Sequence, residues 1–146
     1  SNWLRLERRA DVYAIGFQEV VDLSAQNLSA GSGGQLSSSA ALWESAVTAE
    51  FGTVHATPYV RIACKQLVGI LLIVYVKREH LPHVSRPVTG TAGTGILGML
   101  GNKGAVAASF SLYDSTICLL CCHLAAGQLA VDARNLEFSN LQQRLS

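Results

Sequence analysis

Leu67-Val68-Gly69-Ile70-Leu71-Leu72-Ile73-Val74-Tyr75-Val76 contains no charged side chain and no alternation of polar with apolar residues. A run that is apolar on both faces reads as a central β-strand covered on two sides. Its ten residues are about half of the roughly 20 needed to span a bilayer as a helix. Such a strand needs one layer above it and another below, which restricts the chain to a layered, sheet-containing fold.

The neighbouring segments supply those layers. Asp11 to Phe17 reads as a buried strand with Gln18 and Glu19 emerging at its end, and Tyr59 to Lys65 alternates as a half-exposed strand would. Ala105 to Tyr113 and Thr116 to Cys122 form two more strands joined at Asp114-Ser115, a connection short enough for a hairpin. From Ala40 to Phe51, Leu42, Trp43, Ala46 and Val47 have helical spacing, with Ser39 available as an N-cap and Trp43 expected in the core. Gln128 to Leu145 places Phe138, Leu141 and Leu145 on one helical face. Ser1 to Arg9 reads as the end of a helix, and the Ser-, Gly- and Asn-rich stretch from Ser24 to Ser39 as a long surface loop. Short links between the later strands favour antiparallel pairing, so the expected fold class is an α/β layered sandwich. A doubly wound nucleotide-binding fold is disfavoured because no Gly-x-Gly-x-x-Gly turn links a strand to a helix.

A chain of 146 residues with 49% hydrophobic and 14% charged residues is the size and composition of one globular domain. Its formal charge of +1 gives no global attraction to nucleic acid or membrane, so any preference for anions must be local. Cys64, Cys118, Cys121 and Cys122 lack paired metal-knuckle spacing and read as small buried hydrophobes in a reducing compartment. His80 and His83 flank Pro82 in a polar turn and read as surface residues. Neither a leader peptide nor a membrane-spanning segment is legible, which implies a cytoplasmic protein, at most peripheral to a membrane.

The chemistry concentrates in two places. Thr91 to Gly104 holds five of the thirteen glycines, more than an element interior tolerates, and so is expected to be a loop. Glycines let backbone N–H groups approach an anion, and Lys103 adds a charge suited to phosphate; an ordinary turn with a solvated lysine is the plain alternative. Glu19, at the end of an apolar strand, is held yet reachable, as a hard cation such as Mg²⁺ requires of a ligand, although most such glutamates are merely solvated. His123 stands where the last strand runs out.

Five ordered motifs, Gly16-Phe17-Gln18-Glu19-Val20, Leu67-Val68-Gly69-Ile70, Thr94-Gly95-Ile96-Leu97-Gly98, Gly101-Asn102-Lys103-Gly104-Ala105-Val106 and His123-Leu124-Ala125-Ala126, followed by Arg134-Asn135, resemble the inositol polyphosphate 5-phosphatases. The resemblance runs from about Trp3 to Leu145. It implies a four-layer αββα sandwich of the deoxyribonuclease-I-like type, with mostly antiparallel or mixed strands. It also implies Mg²⁺-dependent removal of the 5-phosphate from phosphoinositides such as phosphatidylinositol 4,5-bisphosphate or 3,4,5-trisphosphate, or from soluble inositol phosphates. Carried over by position, Glu19 is the metal-binding glutamate, Asn102 and Lys103 lie against substrate phosphates, His123 faces the scissile phosphate, and Arg134 with Asn135 stands near the same pocket.

Three motifs that end the family pattern, Asp-x-Asn, Trp-x-Asp-Arg and Ser-Asp-His, are absent, as is the Asn-bearing strand that begins it. Residues 1–146 are therefore expected to be the N-terminal half of a catalytic domain, inactive alone and prone to self-association through an uncovered sheet face. Ile96, Leu97, Met99 and Leu100 crowd large apolar side chains into the glycine stretch, either packing beneath it or dipping into a bilayer with Lys103 at head-group level. A nuclease or phosphodiesterase of the same fold, or a non-catalytic phosphoinositide-binding module, are the competing readings.

Overall fold

The computed structural model describes residues 2–22, 35–54, 58–95 and 102–145. Two three-stranded antiparallel sheets stand face to face with a helix on each outer side. Strands β1 (Val12–Phe17), β2 (Tyr59–Leu67) and β3 (Ile70–Lys77) make the first sheet in the order β1-β3-β2. Strands β4 (Val84–Gly93), β5 (Gly104–Leu112) and β6 (Ser115–His123) make the second in the order β4-β5-β6. Helix α1 (Ser38–Val54) covers the first sheet and α2 (Val131–Leu145) the second, giving the αββα arrangement.

The apolar run does what its two faces require. Leu71, Ile73 and Tyr75 of β3 turn toward α1, meeting Ala40, Val47 and Phe51. Ile70, Leu72 and Val74 turn the other way into the space between the sheets, against Val106, Ala108 and Phe110 of β5. Burial of each large apolar side chain stabilises by roughly 1.5–3 kcal/mol, which makes this strand the centre of the fold. The run is not one strand from Leu67, however. Leu67 pairs with Ile70, so Val68-Gly69 is the turn between β2 and β3, with Val68 at φ 47°. On the far side, Leu141 and Leu145 of α2 cover small residues of the second sheet, Ala92 and Ala105, and a Cβ on Gly90 would lie 3.2 Å from Leu145.

Several local readings change. The N-terminus forms two short 3₁₀ turns, Asn2–Leu4 and Leu6–Arg8, and Arg5 and Arg9, at φ 47° and 49°, interrupt any longer helix. The cap of α1 is Ser37, whose Oγ accepts from Ala40 N at 3.2 Å, and not Ser39, which lies inside the helix. Trp43 is not core: it remains 46% exposed and leans on Phe17 with ring centroids 5.0 Å apart. The glycine-rich stretch is a strand at its start, because Thr91, Ala92 and Gly93 pair with Val106, Ala105 and Gly104. That strand, β4, was hidden by Pro87 and its glycines. It tolerates them because it is an edge strand whose register slips between Ser85 and Val88, leaving Arg86-Pro87 outside the ladder. Helix α2 begins at Val131, later than Gln128, and Cys118 is exposed. His80 is more than a surface residue, since it contacts Asp11 at 3.0 Å and Tyr113 at 2.8 Å and so ties the two sheets at one end. Residues 24–34 of the Ser24 to Ser39 stretch lie outside the described residues.

Candidate functional site

Strand directions decide where the site forms. Phe17 at the end of β1 pairs with Leu71 near the start of β3, while Gly104 at the start of β5 pairs with both Gly93 and His123, the last residues of β4 and β6. One end of each sheet therefore carries Glu19, the Val68-Gly69 turn, Lys103 and His123. The two ends are joined where Gln18 Nε2 donates to the Cys122 carbonyl at 2.8 Å and the Cys121 thiol donates to the Phe17 carbonyl at 3.7 Å. Between them opens a cavity of about 330 Å³ lined by Glu19, Val21, Asp22, Gly69, Asn102, Lys103 and His123.

Glycines permit this closeness. Gly104, at φ 146°, sits where an added Cβ would fall 2.1 Å from the Ala92 carbonyl oxygen, so only glycine lets β5 start directly after Lys103. Thr94 N donates to the Lys103 carbonyl at 2.8 Å and closes the base of the loop. On the opposite wall Val20 N donates to the Gly69 carbonyl at 3.1 Å, and Glu19 takes φ 59°, a left-handed conformation uncommon for a glutamate.

The charged atoms are close. Lys103 Nζ lies 2.6 Å from His123 Nε2, and Glu19 Oε1 lies 3.7 Å from the same nitrogen. An ammonium has only donors, so Nε2 accepts here and the ring proton resides on Nδ1. Burial, and next the Lys103 charge, hold the His123 pKa below the ordinary imidazole value, with Glu19 pulling the other way. His123 is thus kept neutral around neutral pH. Asn102 Oδ1 is buried without a hydrogen-bond partner among the described residues, a costly state for an acceptor that a donor or cation in the cavity would relieve. Glu19, Asp22 and Asn102 line the same cavity and each carries a side-chain oxygen, the donor type a hard divalent cation takes.

Asp22 escaped the sequence reading, though its place three residues after Glu19 was a usable signal. Arg134 and Asn135 are not brought to the cavity. Arg134 points its guanidinium at backbone carbonyls of the segment between β6 and α2, and Asn135 is exposed on that helix. Ile96, Leu97, Met99 and Leu100 lie outside the described residues.

The endonuclease/exonuclease/phosphatase family 2 model matches residues 1–146. The chain belongs to that family. Among its curated relatives, human synaptojanin-1 is 37% identical over 136 residues, covering 93% of this chain and 8% of the relative. The mouse type II inositol 1,4,5-trisphosphate 5-phosphatase is 36% identical over 136 residues, covering 92% of this chain and 13% of that protein. A solved family member, the inositol polyphosphate 5-phosphatase domain of Spsynaptojanin in complex with inositol (1,4)-bisphosphate and calcium ion, superposes with a TM-score of 0.76 at 32% identity. That match covers 94% of this chain and 38% of the solved one. The chain thus spans a small part of these relatives and well under half of the solved domain. Among the described residues no helix is long and apolar enough to cross a membrane.

Proposed function

We propose that this chain is part of a Mg²⁺-dependent phosphatase that removes the 5-phosphate from phosphoinositides or soluble inositol phosphates. The supporting observation is the convergence of Glu19, Asn102, Lys103 and His123, from two different sheets, on one cavity. Glu19, with Asp22 and Asn102, would hold the cation, which when bound supplies charge neutralisation to a phosphoryl group.

The chain's own groups account for the rest of the pocket. Lys103 places a positive charge within 2.6 Å of His123, so a phosphate entering the cavity beside them meets one cation and one neutral imidazole already in place at its wall. The phosphate competes for Lys103, and as the ammonium turns to it His123 Nε2 loses its present donor. Either ring nitrogen carrying the proton can then donate to a phosphoryl oxygen. Because the imidazole is neutral, it is a hydrogen-bonding and positioning group and not a fixed cation. The groups that activate the attacking water are not among these residues, in keeping with a chain that covers 38% of the solved domain.

The proposal includes peripheral contact with a membrane when the substrate is a lipid, through Ile96, Leu97, Met99 and Leu100, and a reducing cytoplasmic setting, which suits four free cysteines. The test is phosphate release by the full-length protein from inositol 1,4,5-trisphosphate and from phosphatidylinositol 4,5-bisphosphate in vesicles, with Mg²⁺ or with chelator. Release from either that disappears with chelator and in Glu19→Gln is expected. Release indifferent to both, or faster cleavage of a phosphodiester than of the monoester, would overturn the reading.

A further inference from the structure

The segment that leaves β6 after His123 is held by α2 through side chains that lie outside the cavity lining. Arg134 Nη1 donates to the Gly127 carbonyl at 2.6 Å and to the Ala125 carbonyl at 3.2 Å, and Nη2 donates to the Gln128 carbonyl at 3.4 Å. Glu137, one helical turn on, accepts from Ala125 N at 2.7 Å. Both polar groups of the Ala125 residue are therefore taken by side chains of one helix, two positions beyond His123. Gly127, at φ 103°, bends the chain so that its carbonyl and those of Ala125 and Gln128 converge on a single guanidinium. Ala130 N donates to the Gly127 carbonyl at 3.2 Å, and Arg134 N to the Ala130 carbonyl at 3.2 Å, so the turn runs directly into the helix that supplies the clamp.

We infer that Arg134, with Glu137, is a positioning residue for His123 and not a substrate ligand: it fixes the exit of β6 so that the imidazole stays 2.6 Å from Lys103. Three of the five guanidinium N–H groups point at protein carbonyls, and the residue is absent from the cavity lining. A guanidinium suits this task because its planar fork reaches several acceptors at once, which a lysine ammonium on a flexible stem cannot reproduce. Glu137 completes it by accepting from the Ala125 N–H on the same segment. The inference rests on the phosphatase reading for its catalytic consequence, but its structural part stands independently.

The test separates positioning from binding in the full-length protein. Arg134→Ala and Arg134→Lys should each lower kcat for inositol 1,4,5-trisphosphate about tenfold with KM within twofold. Amide exchange of the peptide covering residues 124–130 should quicken about tenfold. Glu137→Ala should do the same to a smaller degree, and Glu137→Gln, which keeps an acceptor oxygen for Ala125 N, should restore most of the protection and rate. A raised KM with kcat retained, or near-complete recovery in Arg134→Lys, would show a phosphate ligand and overturn the inference. So would unchanged exchange at 124–130 in both Arg134 variants. If the wild-type protein releases no phosphate from either substrate, the phosphatase reading fails, while the exchange measurement still decides whether Arg134 holds this segment.

Discussion

Replacing Lys103 by Met removes one positive charge from the cavity while keeping most of the side-chain volume. Two unit charges about 4 Å apart attract by about 4 kcal/mol at an effective dielectric near 20. Lys103 is only partly buried, so solvent screening leaves roughly half of that. A loss of about 2 kcal/mol in transition-state binding corresponds to a fall of roughly 30-fold in kcat/KM for an inositol phosphate. The same change has a second consequence that does not depend on turnover. Burial and the Lys103 charge, in that order, depress the His123 pKa, so Lys103→Met should move it upward while burial still holds it below the ordinary value. In the wild type, the neutral imidazole favours the folded state at pH above the ordinary imidazole value. As pH falls below that value the unfolded chain takes up the proton first, and stability declines until the folded-state pKa is passed. In Lys103→Met this pH-dependent loss should be smaller. Titration of the His123 ring by heteronuclear NMR, beside steady-state kinetics, measures both effects. A His123 pKa that is unchanged or lower in the variant would refute the reasoning, because the 2.6 Å contact would then carry no charge effect.

Further outcomes follow from the backbone. Gly104→Ala should be severely destabilising, by about 3 kcal/mol or more, because its Cβ would meet the Ala92 carbonyl oxygen at 2.1 Å. Gly69→Ala, whose nearest contact would be Glu19 Cα at 3.4 Å, should cost less than about 1 kcal/mol; chemical denaturation of the two variants side by side checks the contrast. Ser37→Ala removes the side-chain cap of α1 and should cost about 1 kcal/mol, read from the same denaturation curves, whereas Ser39→Ala should be nearly neutral. The 146-residue chain by itself should self-associate, since Leu129, Leu136 and Val131 around the start of α2 are 96%, 63% and 51% exposed; a monomer by analytical ultracentrifugation at micromolar concentration would contradict this.

Local pattern made a good part of this molecule legible. The two-faced apolar run is β3, the alternating segment is β2, the two segments joined at Asp114-Ser115 are β5 and β6, and the apolar spacing marks both helices, because side-chain periods of 2 and 3.6 residues are written along the chain. The misreadings fall where a neighbour overrides local preference. Pro87 and the glycines argue against a strand at β4, yet an edge position and a slipped register accommodate them. Trp43 has the spacing of a core residue, but the helix rotation set by Ala40, Val47 and Phe51 leaves it at the margin. Ser37 and Ser39 are equally good caps by type, and only the helix start distinguishes them.

The site divides the same way. That Glu19, Lys103 and His123 each stand near the end of a strand was readable from the sequence, since each lies within two residues of an apolar run. Their meeting was not, because Glu19 and His123 are 104 positions apart, and bringing them within 3.7 Å depends on antiparallel register in two sheets and on how those sheets face each other. The side chain of Arg134 illustrates the limit further: its charge is visible in the sequence, but whether it serves a ligand or three carbonyls of its own chain depends on a turn at Gly127 that only the folded backbone reveals. Sequence determines which faces must be covered, as hydrophobic periodicity is local; the tertiary structure decides which rims coincide, as that is set by long-range pairing and packing.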